Sequence, residues 1–136
     1  ENEILTADRW TDGGCSTTVD KEVTCWGAIA PGAVTGANLD RHLLDSGLGH
    51  ACTLVDGVGM VCWGRNSNGQ LGVGDLENTE EYVVVKDIES VVDLATGMDH
   101  SCAIINDELI KCWGLNDYGQ LGNGSLDDTP LPVPVL

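Results

Sequence analysis

An all-β protein assembled from three repeats is the fold class that three observations predict for this 136-residue chain. A cysteine is followed ten positions later by a second cysteine and then by Trp-Gly, three times over: Cys15 and Cys25, Cys52 and Cys62, Cys102 and Cys112. The copies stand 37 and then 50 residues apart, the spacing of a repeat array. Within each full copy the cysteines enclose two short apolar runs around a turn of Asp, Gly or Asn, "TLVDGVGMV" and "AIINDELIK", which is the pattern of a β-hairpin.

Each repeat then reads as four short strands. "ILTADRW" (residues 4–10), "RHLLDSG" (41–47) and "VVDLATG" (91–97) occupy equivalent places and lead into the hairpins. After the hairpin come "NSNGQLGVGD" (66–75) and "NDYGQLGNGS" (116–125), where Gly and Asn supply the positive φ angles of a tight irregular loop. A closing strand follows, "EYVVVK" (81–86) or "PLPVPVL" (130–136), and Pro132 and Pro134 mark the latter as an edge because proline cannot donate to a ladder. The first copy departs from this plan. It has Gly13 where His50 and His100 stand, and after Gly27 it runs "AIAPGAVTGANLD" with no Gly-Gln-Leu-Gly loop, as an end unit would. The expected organisation is one domain, residues 1–136, with repeats at about 1–37 (degenerate), 38–87 and 88–136.

Strand geometry tests the cysteines. In a symmetric hairpin Cys52 faces Cys62, and such partners have Cα atoms about 4.5 Å apart when not hydrogen-bonded to each other. A disulfide spans about 4.4–6.8 Å. Unpaired core thiols and metal ligation are the competing readings, the second weakened because structural zinc sites favour spacers of about two to four residues. Three bridges imply an oxidising compartment and a secreted or cell-surface protein. The same register sets Trp26, Trp63 and Trp113 opposite Gly14, Ala51 and Ser101, all small enough to leave room for an indole. Alternation puts each Trp on the face opposite its neighbouring Cys. With no Phe in the chain, the three tryptophans are expected to be principal core residues.

A net charge of −16 argues against nucleic acid, whose binding needs basic residues to meet phosphate. No apolar run approaches the roughly twenty residues that span a bilayer. The chain begins with Glu rather than Met, so a removed signal peptide or an upstream segment is expected.

The strings "GxxHxC" and "CWGxNxxGQLGxG", with Thr129, Pro130 and Val133 after them, resemble the repeats of the regulator of chromosome condensation family. The second and third copies match over nearly their whole length, the first only at its hairpin. The resemblance implies four-stranded blades of a β-propeller, normally seven to the ring, in a cysteine-stapled form like that of secreted relatives. Founding members of the family are exchange factors for a small nuclear GTPase and contact chromatin, roles at odds with an acidic, disulfide-bearing chain. Other relatives are protein-binding rings, so membership alone does not fix function.

His50 and His100 are expected to make a repeated structural hydrogen bond between blades rather than to serve catalysis, since no nucleophile is arranged beside them. Gly69-Gln70 and Gly119-Gln120 lack a phosphate-binding pattern, and the glutamines are expected to bond backbone of the adjoining blade. No catalytic residue, cofactor or metal site is assigned; Asp75, Asp117, Asp127 and Asp128 are a solvated acidic surface, with calcium the alternative. Asn123-Gly124-Ser125 matches a glycosylation acceptor but lies inside the loop motif, which accounts for it. Three blades leave two flanks bare. The leading expectation is therefore an extracellular structural protein associating head to tail with copies of itself into a filament or ring. The alternative is a secreted recognition module for another protein or an extracellular polymer.

Overall fold

The computed structural model describes residues 4–10, 13–19, 22–27, 34–35, 43–106 and 108–136. They form twelve strands in three antiparallel four-stranded sheets. The first sheet holds β1 (Ile4–Trp10), β2 (Gly13–Thr18), β3 (Glu22–Gly27) and a two-residue β4 (Val34–Thr35). The second holds β5 (Leu44–Ser46), β6 (His50–Val55), β7 (Gly59–Gly64) and β8 (Thr79–Val84). The third holds β9 (Val91–Thr96), β10 (His100–Ile105), β11 (Leu109–Gly114) and β12 (Thr129–Pro134). Each sheet runs in chain order from first strand to fourth, a meander whose neighbours are all sequential. Innermost strands β1, β5 and β9 touch in succession, so the sheets follow one another around a common side.

The hairpins are in register at every cysteine: Cys15 opposite Cys25, Cys52 opposite Cys62, Cys102 opposite Cys112. All three pairs are disulfides, with Cα atoms 4.0–4.1 Å apart. Each bridge closes an eleven-residue loop, worth about 3 kcal/mol on the chain-entropy account. Gly14, Ala51 and Ser101 stand opposite Trp26, Trp63 and Trp113. The leading-in strand of the second repeat is shorter than its sequence indicates, with Leu43 and Gly47 outside the ladder; Arg41 and His42 lie outside the described residues. The closing strands start earlier, at Thr79 and Thr129, whose hydroxyls accept from the amides of Glu81 and Leu131.

The core lies between sheets. One cluster joins Cys15 and Val23 of the first sheet to Leu44, Ala51, Val55, Val61 and Trp63 of the second. The other joins Leu43, Cys52, Met60, Cys62, Leu71 and Val85 of the second repeat to Leu94, Ala103 and Trp113 of the third. In both, the disulfide face of one sheet receives the indole face of the next. Trp26 is the exception to the expectation of three core tryptophans. It is 45 % exposed, against 0 % for Trp63 and Trp113, because no sheet among the described residues presents a sulfur face to it.

Candidate functional site: the joint between repeats

Where the second and third sheets meet, polar groups gather at the rim of the apolar contact. The loop after β7 is built by Asn66, fully buried. Its Oδ1 accepts from Leu71 N at 3.0 Å, and its Nδ2 donates to Asp75 O and Oδ1, each at 3.0 Å. Asn116 repeats this in the third repeat, accepting from Leu121 N at 3.0 Å and donating to Ser125 O at 2.9 Å. An amide that both accepts and donates replaces the ladder that the loop backbone lacks, which is why each loop keeps the same path. Gly69 and Gly72 adopt φ of +83° and +72° there. A Cβ on Gly69 would sit 2.5 Å from Pro130 Cα of the third sheet, and one on Gly72 would sit 2.7 Å from Trp113 Nε1.

The loop so shaped holds the Gln70 carbonyl over the next sheet. It accepts from Trp113 Nε1 at 2.9 Å and from Ser101 Oγ at 2.8 Å. His50 Nε2 lies 2.9 Å from the same hydroxyl. A serine has one hydroxyl hydrogen, and it goes to the carbonyl; His50 Nε2 must therefore carry a proton and donate to Ser101 Oγ. That fixes the tautomer with Nδ1 unprotonated, and Nδ1 has no hydrogen-bond partner among the described residues. Burial lowers the His50 pKa to about 4, helped by the nearby His100 and opposed by a backbone hydrogen bond. A serine that donates to a carbonyl, beside a histidine that donates to the serine, is wired opposite to a nucleophile and its base. All three residues are fully buried.

Other links cross the joint: Thr96 N to Asp45 Oδ2 at 2.7 Å, Leu48 N to Met98 O at 2.8 Å, Asn68 Nδ2 to Asp128 Oδ2 at 2.9 Å and Gly74 N to Pro130 O at 3.0 Å. The Gln70 side chain mostly serves its own loop, since Oε1 accepts from Asn68 N at 2.9 Å while Nε2 reaches Asp99 Oδ1 of the third repeat at 3.4 Å. It is the backbone carbonyl of this residue, not the amide side chain, that grips the next sheet. Gln120 Oε1 likewise accepts from Tyr118 N at 2.9 Å.

Among the described residues, the joint between the first and second sheets lacks this rim. Gly13 replaces the histidine, Ala51 replaces the serine, and Trp63 Nε1 is buried with no partner among the described residues. The sequence of the first repeat has no Gly-Gln-Leu-Gly string after Gly27.

The third sheet ends in the same equipment, open. Met98, Asp99, His100, Leu115, Tyr118 and Gln120 line a concavity of about 400 Å³. His100 is half-buried, its pKa lowered by burial and raised by Asp99. The acidic loop residues act as local braces: Asp75 Oδ1 also accepts from Glu77 N, Asp127 Oδ2 from Ser125 Oγ and Asp128 Oδ1 from Asn116 N. Asn123 Oδ1 accepts from Asn116 Nδ2 at 3.2 Å. Among the described residues no three His, Cys, Asp or Glu come together as a metal site.

The bonds made by the Ser101 hydroxyl and by the side chains of Asn66 and Asn116 are not among the contacts expected from the sequence. Their signal was the asparagine three positions after each Trp in the two full copies, a polar residue repeated at a fixed place beside the core.

The regulator of chromosome condensation (RCC1) repeat profile matches residues 61–104 and 112–136, and a second profile of the same repeat matches 91–120. Among solved structures, human WBSCR16 is similar at 18 % identity and a TM-score of 0.79, over 99 % of this chain and 40 % of that one. A chain of the complex of Kap60 with yeast RCC1 (Prp20) is similar at 19 % identity and a TM-score of 0.77, over 100 % and 36 %. The CR4 receptor kinase ectodomain of Physcomitrella patens aligns at 19 % identity and a TM-score of 0.56, over 84 % and 31 %. The chain thus spans about two fifths or less of the length of these structures. No curated protein sequence matches.

Proposed function

Because the chain belongs to the regulator of chromosome condensation (RCC1) repeat family, whose propeller-type fold is a protein-interaction module, we propose that it is an extracellular structural protein. In this reading it associates head to tail with copies of itself, as a filament or a ring, and does no chemistry. The observation that carries the reading is exposure at equivalent positions. On the sulfur face, Val23, Met60 and Ile110 are equivalent by register, and they are 0 %, 1 % and 43 % exposed. On the indole face the order reverses, with Trp26 open and its two counterparts buried. The third sheet thus offers what the first sheet needs.

The three disulfides support an oxidising, extracellular setting. Among the described residues no helix is long and apolar enough to cross a membrane. The acidic charge disfavours nucleic acid as the ligand. Recognition of a different protein is the second reading, favoured by Tyr118 and Met98, 89 % and 66 % exposed beside the open concavity. Yeast RCC1 (Prp20) bound to Kap60 shows a family member engaging an unlike partner.

Sedimentation velocity across a concentration series tests the proposal. We expect species that grow with concentration in steps of the 14.3 kDa protomer. A single protomer-sized species up to high micromolar concentration would overturn it.

A further inference from the structure

We infer that the joint between copies is made by seating Trp26 of one molecule on the Cys102–Cys112 face of the next, with its indole N–H donated to the Gln120 carbonyl. The inference rests on the self-association reading and names its contact. The second copy is singled out as occupant by continuity with the joint inside the chain. There the indole of Trp113 lies on the face of Cys52, Cys62 and Met60, and its Nε1 donates to Gln70 O at 2.9 Å. Register makes Trp26 the counterpart of Trp113, and repeat alignment makes Gln120 the counterpart of Gln70. The receiving face is ready-made: Cys102, Ile104 and Ile110, with Ala95 beside them and the exposed Asp93 at the edge opposite Ile104, line a largely apolar hollow on the third sheet. On the loop above it Gly119, at φ +73°, would place a Cβ only against Leu126 of its own loop, 3.7 Å away, whereas the equivalent position at Gly69 is packed on Pro130. The space that the third sheet fills over the second is unfilled over the third.

The joint between copies has fewer polar links than the one inside. Gly14 stands at the place of Ser101, so no hydroxyl bridges His100 to the carbonyl. Ala95 stands at the place of Asp45, so no carboxylate accepts the backbone amide that Thr96 N represents in the internal joint. Tyr118 replaces Asn68, which reaches Asp128 across the internal joint. What remains is the apolar seat and the indole–carbonyl bond. Such a joint is directional, because its two halves are different surfaces, and it opens on dilution while the three-sheet protomer stays folded.

Half-blocked variants test this. Trp26→Asp removes the inserted side chain, and Ile110→Asp exchanges an apolar side chain of the seat for a second carboxylate beside Asp93; Trp26 and Ile110 are both solvent-exposed in the protomer. Each variant alone should sediment as a protomer, since every joint needs both surfaces. Mixed in equal amounts, they should form a 1:1 dimer and nothing larger, because one intact half remains on each. A dimer of either variant alone, or no dimer from the mixture while the unmodified protein assembles, would overturn the inference and leave self-association standing. If the unmodified protein does not assemble, the broader reading fails with it. A second readout does not depend on how the aspartate variants fold. A benzophenone side chain at position 26 of otherwise unmodified protein should crosslink to residues 93–122 of a second copy. Crosslinks to the other molecule's own first sheet, or to residues outside that stretch, would also overturn the inference.

Discussion

Trp113→Ala is expected to lower the free energy of unfolding by about 3–5 kcal/mol, the range for removing a fully buried large side chain. Trp113 is 0 % exposed and holds Leu94 and Ala103 of its own sheet against Cys52, Cys62 and Met60 of the second. Its loss opens a cavity where the third sheet's indole face meets the second sheet, and removes one of the two donors, Trp113 Nε1 and Ser101 Oγ, to the Gln70 carbonyl. Since whole domains are stable by about 5–15 kcal/mol, much of the cooperative transition would go with it. Trp26→Ala, the same substitution at the equivalent position, should cost the protomer less than half as much, because Trp26 is 45 % exposed and no preceding sheet among the described residues packs on it. Urea unfolding of both variants, at a concentration where the protein is dissociated, provides the comparison. Equal losses at positions 26 and 113 would refute the view that the indole is held by the preceding sheet.

Acidification should destabilise the protein through His50. The folded pKa is lowered to about 4 from 6.5, so the folded state favours the neutral ring. The stabilisation this provides is complete above pH 6.5, where the unfolded chain is also neutral, and is lost as the pH falls from 6.5 to 4 while the unfolded ring takes up a proton that the folded one refuses. Below pH 4 this group loses nothing further. At about 1.4 kcal/mol per pKa unit, the full change is about 3 kcal/mol. The cause is the geometry of the joint: the ring is buried, one ring nitrogen is committed as donor to Ser101, and a second proton would place a charge out of water near His100. Urea midpoints at pH 7 and at pH 4.5 should differ more for the native protein than for His50→Gln, with the carboxylates common to both. Parallel pH profiles would show that His50 does not titrate in this way.

The hairpin register was legible in the sequence because three copies state it three times. Cysteines ten apart, each followed by Trp-Gly and facing a small residue, admit one symmetric pairing, and strand alternation then assigns sulfur and indole to opposite faces. Which face meets which was not legible. Alternation says what each side of a sheet carries but not what its neighbour turns toward it, so the seating of Trp113 on Cys52–Cys62 emerged only from the packed sheets. The rim was harder still. Ser101 reads in sequence as a small residue leaving room for Trp113, which it is, and its hydroxyl acquires a partner only when the Gln70 loop of the preceding repeat arrives. Gln70 drew notice for its side chain, whereas the carbonyl that every residue possesses makes the bond. Trp26 looks like Trp63 and Trp113 in sequence; its exposure depends on what precedes it in space, not on the residues around it.

In the proposed assembly one joint is used twice, once inside the chain and again between copies. A three-dimensional reconstruction of the native assembled material by electron microscopy tests this most directly. The account predicts that Trp26 of each molecule is buried on the Cys102–Cys112 face of its neighbour, with the Gln120 carbonyl over the indole. Assemblies joined through the outer strands β8 or β12, or native material consisting of solitary molecules, would contradict it.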